Sequence, residues 1–140
     1  MKNVAVVGLG GMGLRHCEAI SELENVNLVS VCDIDIDRVK ETSDKYGVKC
    51  GYCDWKDMIT TESIDLIIIA TNGDTHHDIT IFASENGVPR VLCEKPITTS
   101  LNKAQNMISV CNKNNTKLVI HHIRRWSESY ERLKKMIDDG

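Results

Sequence analysis

The sequence lacks any long apolar run. The longest, Leu66 to Ala70, falls far short of the roughly 20 residues that span a bilayer, so no membrane partner is expected. It also lacks a basic excess: 17 Lys and Arg stand against 20 Asp and Glu, for a formal net charge of −3. With no positive field, no nucleic-acid partner is expected. No basic, then apolar, leader precedes the first strand-like run at Asn3, and a cytoplasmic location is the expectation. Aromatics are only 4% and prolines number two, which leaves a core to be built from Ile, Val, Leu and Met.

Cysteine is not scarce. Six are present, at positions 17, 32, 50, 53, 93 and 111. Several fall inside predicted strands or helices, and with no secretory leader the expected state is reduced and mostly buried. Cys50 and Cys53 form a Cys-x-x-Cys, but no second pair follows at zinc-ribbon spacing. The doublets His76-His77 and His121-His122 also suggest metal ligands. Neighbouring residues on a strand point to opposite faces, however, so no metal site is expected from a doublet.

Strand and helix patterns alternate along the chain. Strands are expected at Asn3–Val7, Asn27–Cys32, Val48–Tyr52, Asp65–Ala70, Arg90–Cys93 and Lys117–His121. Helices are expected at Met12–Leu23, Ile36–Tyr46 (stopped by Gly47), Trp55–Thr60, His76–Asn86 (stopped by Gly87), from Ser100 as cap to Lys113, and Ser127–Asp138. The run through Ile67, Ile68 and Ile69 is apolar on both sides, as a strand buried within a parallel sheet requires. The expected fold is a doubly wound α/β domain over residues 1–140, with helices on both faces of a parallel sheet of about six strands. Trp55 and Trp126 read as packing residues.

The glycine-rich segment Gly8-Leu9-Gly10-Gly11-Met12-Gly13 fits G-x-G-x-x-G between the first strand and the first helix. Gly8 permits a tight turn, Gly10 admits a pyrophosphate close to the backbone, and Gly13 lets helix and strand approach. The helix N-terminus offers free N–H groups and a favourable dipole to phosphate. Asp33 ends the second strand about 20 residues later, where a carboxylate holds a ribose 2′-hydroxyl and disfavours a 2′-phosphate. NAD is therefore the expected cofactor. Arg38 keeps NADP open, and Asp33 has the alternative role of capping the helix that follows it.

Four segments carry a resemblance to the glucose–fructose oxidoreductase, inositol dehydrogenase and rhizopine-catabolism (Gfo/Idh/MocA) family. They are Val4 to Gly13 with Arg15-His16, Asp65 to Asn72 with Asp74-Thr75-His76, Val91-Leu92-Cys93-Glu94-Lys95-Pro96, and His121 to Trp126. The resemblance implies a Rossmann domain and an oxidoreductase transferring hydride between nicotinamide and a secondary alcohol of a sugar or cyclitol. It implies that Lys95 sits at the nicotinamide and polarises the substrate oxygen, the alternative being a surface salt bridge with Glu94. Glu94 is implied at the nicotinamide or its ribose, and Ala70, Thr71 and Asn72 along the cofactor at a strand end. The family often has proline where this chain has Asn72. His76 is implied to touch the cofactor or cap its helix, and Arg125 to approach the active site. A cis bond before Pro96 is compatible with the motif.

The resemblance further implies a second, C-terminal domain, outside these residues, that binds the substrate and makes most contacts of a homo-oligomer. On that reading this stretch alone is inactive toward a polyol. The alternatives are a half-enzyme completed by a partner and a non-catalytic module that senses NAD.

Overall fold

The computed structural model describes residues 1–140. Six strands form one parallel sheet in the order β3-β2-β1-β4-β5-β6. The strands are β1 (Lys2–Val7), β2 (Val26–Cys32), β3 (Cys50–Tyr52), β4 (Leu66–Ile69), β5 (Arg90–Glu94) and β6 (Lys117–His121). The helices are α1 (Gly11–Ser21), α2 (Ile36–Tyr46), α3 (Trp55–Thr61), α4 (His76–Glu85), α5 (Leu101–Lys113) and α6 (Glu128–Asp138), with a 3₁₀ turn at Ile123–Trp126. The expected doubly wound architecture is present. Element ends shift by one or two residues, and the 3₁₀ turn is an addition.

The period of two along each strand divides the core into two layers. Ala5 and Val7 of β1, with Ile67, Ile69, Val91 and Cys93, face the layer that holds Met58, Ile79, Ala83 and Met107 from α3, α4 and α5. Val4 and Val6, with Val31 and Ile68, face the other layer, with Cys17 and Ile20 from α1 and Val39 from α2. β1 lies at the centre, and from Val4 to Val7 it is no more than 2% exposed. The chain reverses direction across the sheet between β1 and β4, so the loops after these strands diverge and leave a crevice at the C-terminal edge.

Local signals set the connections. Asp35 accepts from the N–H groups of Asp37 (3.0 Å) and Arg38 (3.4 Å), capping α2 as a side-chain acceptor should. Gly47 stops the same helix at φ 66°, a left-handed conformation that suits glycine. Asp54 caps α3 through the N–H of Lys56 at 2.8 Å.

Two local expectations are corrected. Ser100 stands at the N-cap of α5, but its side chain makes no capping hydrogen bond. Trp126 is 73% exposed on the 3₁₀ turn, because the hydrophobic layers end at β6 and α5 before the chain reaches it. Trp55 does pack, edge-on against Phe82 with centroids 5.4 Å apart. α6 buries none of its residues.

All six thiols are free, and Cys17, Cys32, Cys93 and Cys111 are buried. Burial raises the Cys17 pKa to about 11 and those of Cys32 and Cys93 to about 12, so these thiols stay protonated and unreactive at neutral pH. A thiol-specific chromogenic reagent should label exposed Cys53 first and half-buried Cys50 more slowly. The four buried thiols should appear only on denaturation, and rapid labelling of all six in the folded protein would contradict this packing.

Candidate functional site

The cleft is built at the point where β1 turns into α1. Gly8 has φ 90°, and a Cβ on it would sit 2.7 Å from the carbonyl carbon and oxygen of Ala70 and 2.8 Å from the Thr71 nitrogen. A Cβ on Gly13 would lie 1.8 Å from the Gly8 oxygen and 3.7 Å from the Ala70 Cβ. These two glycines let the loop, the helix and the end of β4 close on one another. Gly10 and Gly11 differ, because a Cβ on either meets nothing within 4 Å. Of the two, Gly10 lines the cleft.

The helix end beside them is uncapped. Gly10 is the N-cap without a side-chain partner, and the first turn of α1 contains no acid. Leu14 is the first residue to close a helical bond, back to the Gly10 oxygen at 3.0 Å. The N–H groups of Gly11, Met12 and Gly13 therefore have no carbonyl one turn behind them. Such an end is complementary to a phosphate. Leu9 plays another part: its side chain is 1% exposed, and its N–H donates to Asp33 Oδ2 at 2.6 Å.

Asp33 thus braces the glycine loop. Its second oxygen accepts from the Asp35 N–H at 3.0 Å, and capping of α2 falls to Asp35. Each carboxylate oxygen can accept more than one donor, so Asp33 retains capacity toward a hydroxyl. It lines a cleft of about 400 Å³ together with Gly8, Gly10, Ala70, Thr71 and Asn72. Sequence reasoning did not assign Ile34, Trp55 and Thr75, among others, to this lining. The Thr75 hydroxyl lies 2.8 Å from both the Thr71 hydroxyl oxygen and the Asn72 carbonyl oxygen. Arg38 also lines the cleft, and its Nε pairs with Asp35 Oδ2 at 3.4 Å.

The other expected residues lie outside this lining. His76 is completely buried, with Nδ1 2.8 Å from the Pro96 carbonyl oxygen and Nε2 3.0 Å from that of Thr71. Its ring joins the loops after β4 and β5, and Thr75, the N-cap of α4, makes no side-chain capping bond. Neither alternative offered for His76, cofactor contact or helix cap, describes this arrangement of its side chain. The peptide bond between Lys95 and Pro96 is cis. Lys95 is exposed and forms no salt bridge with Glu94. Arg125 is exposed on the 3₁₀ turn and is not among the residues that line the cleft.

Glu94 is engaged elsewhere. Its Oε1 lies 2.9 Å from His16 Nε2 and 2.5 Å from His121 Nδ1. Burial works to raise its pKa, but the hydrogen bonds from His121 and then His16 outweigh it and hold the carboxyl below its usual range. His16 and His121 were absent from the expected site. They are 78 and 27 residues from Glu94, and no local spacing announces the cluster.

Comparison with known proteins agrees with this geometry. A family model described as an oxidoreductase family with an NAD-binding Rossmann fold, Gfo/Idh/MocA, matches residues 2–122. Inositol 2-dehydrogenase of Salmonella typhimurium is 32% identical over 138 residues, covering 96% of this chain and 41% of that protein. D-apiose dehydrogenase of Paraburkholderia graminis is 26% identical, with 97% of this chain and 36% of that protein covered. The crystal structure of myo-inositol 2-dehydrogenase from Lactobacillus plantarum superposes with a TM-score of 0.92 at 33% identity, over 99% of this chain and 41% of that one. The chain therefore spans about two-fifths of the length of these relatives.

The glycines make a separable prediction. Gly13→Ala should destabilise the fold by roughly 2 kcal/mol or more, since backbone must shift to relieve the overlap. Gly10→Ala should melt within about 2 °C of the parent, because its Cβ enters open space, yet weaken NADH binding. Thermal melts paired with NADH titrations check both, and equal melting of the two variants would refute the division of labour.

Proposed function

The chain belongs to the Gfo/Idh/MocA oxidoreductase family, and from that membership we propose that it is the cofactor-binding part of an enzyme oxidising a secondary alcohol of a cyclitol or sugar. It is an NAD-binding Rossmann domain. The observation that carries the proposal is the uncapped, acid-free N-terminus of α1 beside Gly10, facing the same cleft as Asp33. The inositol dehydrogenases among its relatives supply the substrate class. The substrate-binding residues are assigned to a further domain outside these 140 residues.

Each residue then has a stated task. Gly8 and Gly13 hold the loop closed, while Gly10, Gly11 and Met12 present backbone N–H groups to the pyrophosphate. Asp33 accepts from the adenine-ribose hydroxyls, and its charge opposes a 2′-phosphate. Arg38, already paired with Asp35, is the one cleft cation toward which NADP could turn. Ala70, Thr71 and Asn72 line the path toward the nicotinamide. Glu94, with Oε1 held by the two histidines and Oε2 3.4 Å from the Lys95 backbone nitrogen, is assigned to the nicotinamide end through Oε2. His76 positions the Thr71 and Pro96 carbonyls. NAD, when bound, supplies the hydride acceptor. Lys95, free of an ion pair, stabilises the oxygen of the alcohol as its proton leaves. Arg125 joins the site only if a second domain draws the 3₁₀ turn inward.

Fluorescence titration should show saturable NADH binding and weaker NADPH binding. Asp33→Asn, which keeps an acceptor for the Leu9 N–H, should narrow that preference by about 10-fold, in line with loss of one charge-assisted contact. Failure to bind either nucleotide would sink the reading. In the complete enzyme, Lys95→Met should lower kcat toward a cyclitol by about 10²-fold or more while leaving the NADH Kd within about twofold. An unchanged kcat would remove Lys95 from the chemistry.

A further inference from the structure

His16, Glu94 and His121 come from three separate elements and meet on the α1 face of the sheet. Glu94 and His121 are paired neighbours in the β5–β6 ladder, and strand alternation sends both side chains away from the layer that holds Cys93 and Ile120. His16 reaches them from the second turn of α1. The three side chains are 12%, 7% and 21% exposed, and the imidazole rings lie 5.0 Å apart at 58°. One nitrogen from each ring and a Glu94 oxygen all fall within 4.8 Å of one another. None of the three lines the dinucleotide cleft.

We propose that His16, Glu94 and His121 form a binding site for a divalent transition-metal ion of the zinc class. Two imidazoles and one carboxylate give a borderline donor set that suits such an ion and leaves a fourth position open to water or another oxygen. Bond lengths of about 2.0–2.2 Å place ligand atoms of a tetrahedral ion about 3.3 Å apart. The present separations of 2.9 and 2.5 Å from Glu94 need widen by less than 1 Å, and the span of the ligand atoms, within 4.8 Å, needs to close by up to about 1.5 Å, both movements of side-chain rotation. Glu94 is already held as a carboxylate, the form a metal requires.

The proton accounting closes without a further reactant. A ring nitrogen that donates its N–H to Glu94 must release that proton before it can bind an ion. On binding, that nitrogen gives its lone pair to the ion and the ring proton moves, through solvent, to His16 Nδ1 or His121 Nε2. Neither of those atoms is committed to a protein acceptor, so each can carry the N–H. No electron changes hands. The ion would tie α1, one turn beyond the glycine loop, to the ends of β5 and β6.

The inference shares Glu94 with the dinucleotide reading, but its test uses the chain without nucleotide and stands or falls separately. The chelator-stripped chain in a Cys50→Ser/Cys53→Ser background, which removes the competing thiols, is titrated with Co²⁺ by visible absorption and with Zn²⁺ by calorimetry. One equivalent should bind, with a Kd of about 1 μM or tighter and Co²⁺ bands typical of nitrogen and oxygen ligands. His16→Ala should weaken binding by at least about 30-fold, as should His121→Gln, which keeps a donor toward Glu94 and so protects the fold. His77→Ala should leave it unchanged. Saturating Zn²⁺ should raise the Tm of the background protein by about 5 °C or more and leave that of His121→Gln unmoved. Absence of stoichiometric binding, or undiminished binding in a folded His121→Gln protein, would overturn the site and show the cluster to be a hydrogen-bonded triad only.

Discussion

The structure depends on one close approach: the backbone of Gly8 against that of Ala70 and Thr71, with Gly13 pressed onto Gly8 from the helix side. No side chain larger than hydrogen can occupy either glycine without moving backbone. This contact sets the distance between the two halves of the sheet at the crossover, where loops diverge and a crevice must open. It also sets the aim of α1. With the first turn locked against β1 and β4, the free N–H groups point into the crevice, and His16, one turn further along the same helix, is carried beside Glu94. Both candidate sites inherit their geometry from the same few ångströms of packing.

A second constraint operates at the other lip. His76 offers two ring nitrogens to two carbonyl oxygens, one from each of the loops that follow β4 and β5. Each ring nitrogen can meet one of the two carbonyls when it carries the proton. The arrangement fixes the loops relative to one another in the same region where a Cβ on Gly73 would come within 3.0 Å of the Pro96 ring. The lip that carries Thr71 on one side and Lys95 on the other is therefore stiff, whereas the exposed Lys95 side chain is not confined.

How much of this was legible in the sequence follows from the range of the forces involved. The apolar run at Ile67–Ile69, the glycine loop and the caps at Asp35 and Gly47 are local, and each could be read where it stands. Asp33 was legible as a cofactor residue, though its bracing of the Leu9 N–H was not, because that bond joins positions 24 residues apart. The role of His76 and the meeting of His16, Glu94 and His121 depend on sheet order and register, which periodicity alone does not specify. Ser100 and Trp126 show the opposite failure. Their residue types signal a cap and a packing anchor, but the surroundings supply neither a capping bond to the first nor a core to the second.

The central position of β1 has a consequence for how the chain is made. β1 is synthesised first, yet one of its edges is closed only by β4, about 60 residues later, an interval of roughly 3–12 s at ordinary translation rates. Until then its most buried residues, Ala5 and Val6, can be partnered on one side alone, by β2. Contacts this distant in sequence also slow folding, since loop closure must precede their reward. The strand that organises the finished sheet is thus the one that waits longest, and the apolar segment from Val4 to Val7 is where a chaperone has most to protect.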